Sequence, residues 1–243
     1  MAVKKDRMNS KDIQLKIFQK LLEQYGPRKW WPARTRFEVI VGAVLTQNVT
    51  WKNAKKAVDN LKKAGLLSPI AISLANHKEV AERIISSRYY NQKAKKLKEF
   101  SLFLMKKHAG SLNKLFSGEM EDLREELLKI KGIGKETADC ILLYAGKMPS
   151  FVSDAYTKRF LDRYGLLKGM QTYDDIRDFF MQNLPEDVYL YNEYHALIVH
   201  HGHAVCQSKP NCQDCPVRAI DKTTYCHYAI GGILENNATS YKK

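Results

Sequence analysis

Four of the five cysteines in the 243-residue sequence, Cys206, Cys212, Cys215 and Cys226, fall within 21 residues and are spaced Cys-x5-Cys-x2-Cys-x10-Cys. Four thiolates with an internal Cys-x2-Cys suit either tetrahedral zinc or a [4Fe–4S] cluster, and spacing alone does not choose between them. His200, His201, His203 and His227 lie near enough in sequence to replace one thiolate, which would suit zinc. In an intracellular protein such a group reads as a metal site rather than a disulfide framework. Cys140 stands apart, inside an apolar helical pattern, and reads as a packed core thiol.

A second chemistry-bearing segment runs from Leu127 to Ala138, LLKIKGIGKETA. Two glycines flank one apolar residue, and apolar helical patterns lie on either side. Glycine accepts positive φ and lets backbone approach a ligand closely. Ile133 would plug the turn into the core, and the amides opening the next helix would face a phosphate. Lys131, Gly132, Gly134 and Lys135 are therefore candidate contacts to a nucleic-acid backbone. The formal net charge of +14 points the same way, because each phosphate contact releases condensed counterions.

The run IKGIGKETADCILLYA resembles the helix-hairpin-helix of the endonuclease III superfamily. In that superfamily an essential Asp follows the hairpin, and Asp154, within FVSDAYTKR, occupies the matching place. Members that also nick the strand carry a Lys shortly after the hairpin glycines, and the matching position here is Glu136. The combination WWPARTRFEVIVGAVLTQNVTW, RYYNQKAKKL and KGIGKETADCILLYA resembles the 3-methyladenine glycosylases of that superfamily, the third bacterial type, over about residues 28–165. The resemblance implies a base pocket of Trp30, Trp31, Pro32 and Trp51, with Lys209 near it. It implies that Gln47 enters the vacated stack and that Tyr89 or Tyr90 wedges against the opposite strand. It also favours the [4Fe–4S] cluster over zinc. Here the first cysteine gap is one residue shorter than the superfamily's and the last is five longer, which leaves Cys226 open as the fourth ligand.

The chemistry implied is hydrolysis of a glycosidic bond through a transition state with oxocarbenium character. A carboxylate at Asp154 would stabilise the developing cation and orient or deprotonate a water. The same residue could cap the helix that follows, and the two roles are compatible. A strand-nicking lyase needs an amine nucleophile, which Glu136 cannot supply. Lys135 is one residue away and is rotated by about 100° on a helix. The expected product is thus an abasic site. An aromatic wall would favour a cationic methylated purine, since ring faces attract positive charge. Arg88, Lys93, Lys95, Lys96 and Lys98 read as phosphate contacts or as a solvated face. Lys209, Arg218 and Lys222 could bring the cysteine loop to DNA.

These residues need helices to position them, and nearly every apolar stretch has helical spacing. Ile13, Ile17, Leu21 and Leu22 follow a possible cap at Ser10. Phe37 to Leu45 suits a buried helix, and further helices are expected at 97–107, 156–164, 173–183 and 189–200. Alternating strand patterns are missing, so the fold class is all-α with two lobes. One lobe is a helical barrel at 36–146 ending in the hairpin. The other combines 1–35 with 147–231, and 232–243 is a frayed tail. The active site is expected in the cleft between the lobes. The basic start lacks a secretory pattern, so a cytoplasmic location is expected, nucleoid-associated if the source is prokaryotic. The expected partner is double-stranded DNA with a damaged base, bound by a monomer away from membrane. Two other readings compete: a mismatch or oxidised-base glycosylase of the same superfamily, and a non-catalytic DNA-structure binder.

Overall fold

The computed structural model describes residues 9–167, 169–170 and 172–231. The expected tail at 232–243 lies outside them. The described residues are helical, with no strand and one isolated bridge between Ala219 and Tyr225. None of their helices is long and apolar enough to cross a membrane. In chain order the helices are α1 (Ser10–Tyr25), α2 (Arg36–Leu45), α3 (Trp51–Lys63), α4 (Pro69–Leu74), α5 (His77–Arg83), α6 (Tyr90–His108), α7 (Leu112–Leu115), α8 (Met120–Leu128), α9 (Lys135–Cys140), α10 (Ala155–Tyr164), α11 (Tyr173–Asn183) and α12 (Val188–Ala204). A 3-10 turn at Ile85–Ser87 precedes α6, and α9 continues as a π-helix at Ile141–Gly146. The chain divides into two compact units, one of residues 31–150 and one of 1–30 with 151–243.

The 31–150 unit is built around α2, whose residues Phe37 and Val39 to Leu45 are all buried. Its start is fixed by Thr35, whose hydroxyl accepts from Glu38 N at 3.1 Å, while the Glu38 carboxylate accepts from Arg34 N at 3.0 Å. Around α2 pack α3, α6, α9 and the π-helix. Beneath the hairpin, Arg124 of α8 grips Asp139 of α9 through two hydrogen bonds of 2.8 and 3.1 Å, and Ser150 Oγ donates to the same carboxylate at 2.6 Å. Asp139 is fully buried. Burying a carboxylate is costly unless it is paired and hydrogen-bonded in this way.

Two lysines depart from the sequence reading. Lys93 is buried, and its Nζ donates to Leu45 O at 2.9 Å and to Ser87 O at 2.5 Å. It therefore closes the C-terminus of α2, where the helix dipole favours a cation, and is neither a phosphate contact nor part of a solvated face. Lys98 Nζ does the same for α4, reaching Ile72 O, Ser73 O and Ala75 O.

The other unit packs α1 against α11 and α12, and α10 against α12. Asn9, rather than Ser10, caps α1, accepting from Asp12 N at 2.9 Å. The core is aromatic. Phe151 stacks on Phe180 at 3.9 Å between centroids, and Tyr191 and Tyr194 meet Phe151 edge-on. Such pairs add about 0.5–1.5 kcal/mol each beyond area burial. Glu193, buried on α12, accepts from the amides of Arg28 and Lys29 at 2.6 and 2.8 Å. This holds the segment leading to Trp30, where Lys29 adopts φ +50°.

Candidate active site and DNA interface

Asp154 is the N-cap of α10. Its Oδ1 accepts from Thr157 N at 2.8 Å and from Thr157 Oγ1 at 3.0 Å, which is the geometry of a capping carboxylate. Its Oδ2 faces His195 Nε2 of α12 at 3.5 Å, with the two side chains 14% and 8% exposed. Burial alone would raise the Asp154 pKa. The opposing effects of His195 and the Thr157 hydrogen bonds outweigh it and hold the carboxyl below its ordinary value of 3.8. Asp154 is thus both a cap and a shielded, ionised carboxylate. Beside it, the Tyr156 ring lies under Arg159 at 4.9 Å and beside His203 at 4.6 Å. A Cβ at Gly202 would come within 2.5 Å of that ring, so glycine at this position is what admits the tyrosine. His195 and Gly202 escaped the sequence reading, because each meets its partner only through the packing of α10 on α12.

In the 31–150 unit the hairpin has the expected form. Ile133 is buried, and Lys131, Gly132, Gly134, Lys135 and Glu136 are exposed. Gly132 has φ +92°, and a Cβ there would meet the Lys96 side chain at 2.5 Å. Gly134 is the N-cap of α9 in ordinary extended conformation, and a Cβ there would meet nothing within 4 Å. Neither backbone conformation nor protein packing therefore demands glycine at 134, and the space beside it is open to a ligand. Lys96 Nζ also donates to Gln47 Oε1 at 2.6 Å, and Gln47 Nε2 donates to Thr137 Oγ1 at 2.6 Å. Tyr89 and Tyr90 are exposed, and Arg88 and Tyr89 both adopt positive φ, at +53° and +45°. Positive-φ conformations at residues other than glycine cost of order 1–3 kcal/mol each and concentrate at functional loops.

The tryptophans divide between the two units. Trp31 meets Trp51 edge-on at 5.3 Å and Tyr144 at 5.4 Å. A Cβ at Gly42 would stand 2.9 Å from the Trp31 ring, so this glycine makes room for the indole. Tyr144 and Gly42, which neighbour Trp31, were not singled out by the sequence. Trp30 belongs to the other unit, and Pro32 is exposed.

Cys206, Cys212, Cys215 and Cys226 line one small cavity together with Phe160, Arg163 and His201. Among the described residues, no three of His, Cys, Asp and Glu converge as ligands of a single metal ion would. Burial pushes the Cys215 thiol up to about 12, and the neighbouring thiols push the same way against a Val217 amide contact. So buried a thiol as Cys215 stays protonated unless a cation is bound. Arg163 braces the loop, donating to Cys206 Sγ at 3.2 Å and to Ser208 O at 3.0 Å. Arg159 Nε donates to Cys206 O at 3.0 Å. Of the histidines, His201 Nε2 lies 3.7 Å from Cys215 Sγ, while the His227 ring packs on Gly165. Lys209 and Lys222 are exposed and Arg218 is half-buried. Cys140 is buried at the end of α9.

Residues 41–186 match the family model described as HhH-GPD superfamily base excision DNA repair protein. The chain belongs to that superfamily. A protein of Methanocaldococcus jannaschii, provisionally described as a DNA repair glycosylase, is 44% identical over 86% of this chain and 96% of its own length. Endonuclease III of Sulfolobus acidocaldarius is 28% identical over 91% of this chain and 99% of its own. Among solved structures, the H. pylori 3-methyladenine DNA glycosylase bound to 1,N6-ethenoadenine is 30% identical, covers 81% of this chain and 98% of its own, and superposes with a TM-score of 0.69. An endonuclease III–DNA complex shares the fold at a TM-score of 0.77 and 19% identity, over 94% of this chain and all of its own. At the level of the superfamily the chain is an HhH-GPD DNA glycosylase of base excision repair, and its partner is DNA.

Proposed function

We propose that this HhH-GPD glycosylase is monofunctional and hydrolyses the N-glycosidic bond of alkylated purines such as 3-methyladenine after extruding the base from duplex DNA. The observation that carries the reading is Asp154, a shielded carboxylate kept ionised by Thr157 and His195. An ionised carboxylate at low exposure stabilises an oxocarbenium-like sugar far better than one in bulk water. The C1′–N bond breaks with its electron pair leaving on the base. An N3-methylated adenine already carries the positive charge that this departure neutralises, so no strong acid is required of the protein. Water then adds to C1′, with Asp154 orienting it or accepting its proton. Glu136 at the position of the lyase amine supports hydrolysis without a Schiff base.

The aromatic cluster of Trp31, Trp51 and Tyr144 supports a cationic base as substrate, with Trp30 and Pro32 as further candidates for the pocket. Gln47 and Tyr90 are the candidates for filling the vacated stack. Lys131, Gly132, Gly134 and Lys135 are those for the phosphate backbone, and their exposure supports that role.

Cys206, Cys212, Cys215 and Cys226 would hold a [4Fe–4S] cluster. Their sharing one cavity supports this. The resemblance to the endonuclease III superfamily favours the iron–sulfur cluster over tetrahedral zinc. The group would pin a loop with little core of its own. A broad absorbance near 400 nm in brown purified protein is the expected result, and colourless protein carrying stoichiometric zinc would overturn it.

The deciding experiment offers the enzyme and its Asp154→Asn variant a panel of damaged duplexes and measures free base. Release of methylated adenine by the wild type alone, with no adduct trapped by borohydride, is expected. Release only from mismatches or oxidised bases would redirect the substrate, and release from none would favour a DNA-structure binder.

A further inference from the structure

We infer that His195 is a positioning residue for Asp154, holding the carboxylate from the Oδ2 side so that this oxygen stays charged and aimed for the glycosidic reaction. The inference rests on the glycosylase reading above and concerns how its carboxylate is kept ready.

The two oxygens of Asp154 are treated differently. Oδ1 is engaged by both donors of Thr157, at 2.8 and 3.0 Å. It is committed to the helix cap and has little left for a substrate. Oδ2 is the oxygen available for a sugar cation or a water. His195 Nε2 faces it at 3.5 Å. A charge-assisted hydrogen bond would be about 2.7–2.9 Å. At 3.5 Å the imidazole supplies a favourable charge or dipole and a fixed wall, without tying up the oxygen. That separation suits an oxygen that must still serve the reaction.

The imidazole has little freedom to turn. From Tyr191 to Ile198 every residue of α12 is buried. Two positions before His195, Glu193 anchors the amides of Arg28 and Lys29, and Tyr194 donates to Gln14 O at 2.9 Å. Other charged or titratable groups around Asp154 in this unit are differently engaged. Arg159 points at Gly202 O and Cys206 O and lies over the Tyr156 ring. Tyr156 feels the charge of Asp154 but is itself held as a neutral phenol, its pKa raised by burial and by Asp154. His203 packs on the far partner, Tyr156. His195 is thus the basic side chain that faces the carboxylate from the opposing helix. Burial is the largest influence on Asp154 and favours its neutral form. A protonated carboxyl has no charge to offer a sugar cation, so withdrawing His195 should cost rate rather than affinity.

The test compares His195→Leu, His195→Gln and Asp154→Asn with the full-length wild type. Single-turnover release of 3-methyladenine from duplex DNA is followed from pH 5 to pH 8, along with affinity for a duplex carrying an abasic-site analogue. His195→Leu should release base about tenfold more slowly or worse, since each pKa unit is tenfold in population. Its rate should start to fall at higher pH than that of the wild type, while the affinity changes less than about twofold. His195→Gln, which keeps an amide donor and cannot titrate, should recover most of the neutral-pH rate. The inference is overturned if His195→Leu keeps the wild-type rate and pH profile while Asp154→Asn is inactive. It is equally overturned if Leu and Gln are alike slow with unshifted profiles and lowered melting temperatures, the mark of a merely structural residue. A wild type that releases no base from any duplex would instead overturn the glycosylase reading, and this inference with it.

Discussion

Lys96 Nζ donates to Gln47 Oε1 at 2.6 Å, and its aliphatic stem lies against Gly132 of the hairpin. One lysine therefore joins the candidate wedge to the candidate phosphate-binding turn. Gln47 is held from its other end by Thr137. If Gln47 enters the DNA stack, both bonds must be exchanged for contacts with bases. Gln47→Ala should reduce the fluorescence rise of a 2-aminopurine placed beside the lesion and slow base release about tenfold or more. The stability loss should stay near 1 kcal/mol, because half-exposed hydrogen bonds contribute about that much net. An unchanged extrusion signal would remove Gln47 from the role.

Replacing Asp154 by Asn leaves the cap of α10 nearly intact, since Asn and Asp cap equally well. Melting temperature should hardly move. Base release should fall by about 10²-fold or more, the scale on which a well-placed electrostatic group acts. Comparable rates in the two proteins would mean that the carboxylate serves only the helix.

Glu136 is exposed in the first turn of α9, at the position where the resemblance expects the amine of a strand-nicking enzyme. The wild type should give no covalent adduct when borohydride is added to its reaction with damaged DNA. Glu136→Lys should give one, because a primary amine there could attack C1′ of the extruded nucleotide. A trapped adduct with the unaltered protein would show that another amine, Lys135 foremost, reaches the sugar.

Much of this arrangement was legible in the sequence because it is local. The 3.6-residue periodicity of 37–45 and 97–107 belongs to the helices themselves, and the hairpin is a contiguous run in which Gly132 and Ile133 fall where the turn needs them. Asp154 could be singled out because it follows that run at a recognisable distance. What stayed hidden is non-local. His195 is forty-one residues beyond Asp154 and meets it only when α12 packs on α10. Glu193 captures amides more than 160 residues away. Lys93 sits in a cationic run that reads as a wet surface, and nothing in that run reveals that carbonyls closing α2 wait beside it. The small residues Gly42 and Gly202 are informative only once the rings they admit, Trp31 and Tyr156, are in place.

The buried pair under the hairpin should matter for folding rather than for chemistry. Arg124→Met would take both guanidinium bonds from the fully buried Asp139 while keeping that of Ser150. Removing one partner of a buried pair typically costs about 3–5 kcal/mol. Denaturant unfolding should show a loss of that size, whereas a loss under about 1 kcal/mol would mean that water or a neighbouring donor reaches the carboxylate.

Lys93 gives a pH signature of its own. Burial, followed by the nearby charges of Lys96 and Arg88, lowers its pKa from 10.5 to about 8. The unfolded chain keeps this proton up to about pH 10.5 and the folded chain loses it near pH 8, so across that window the unfolded state binds more protons. Stability from this group therefore rises as pH goes from about 8 to 10.5, and below pH 8 the folded protein carries the full cost of burying an ammonium. Other lysines and tyrosines titrate over the same range, so the readout is a difference. The unfolding free energy of wild type minus that of Lys93→Met should increase steadily from pH 8 to pH 10. Lys93→Met should also be the less stable protein at pH 10, because it abandons Leu45 O and Ser87 O inside the core. A difference that is flat with pH would mean that Lys93 holds its proton as tightly in the fold as in water, and that the α2 terminus shields the ammonium completely.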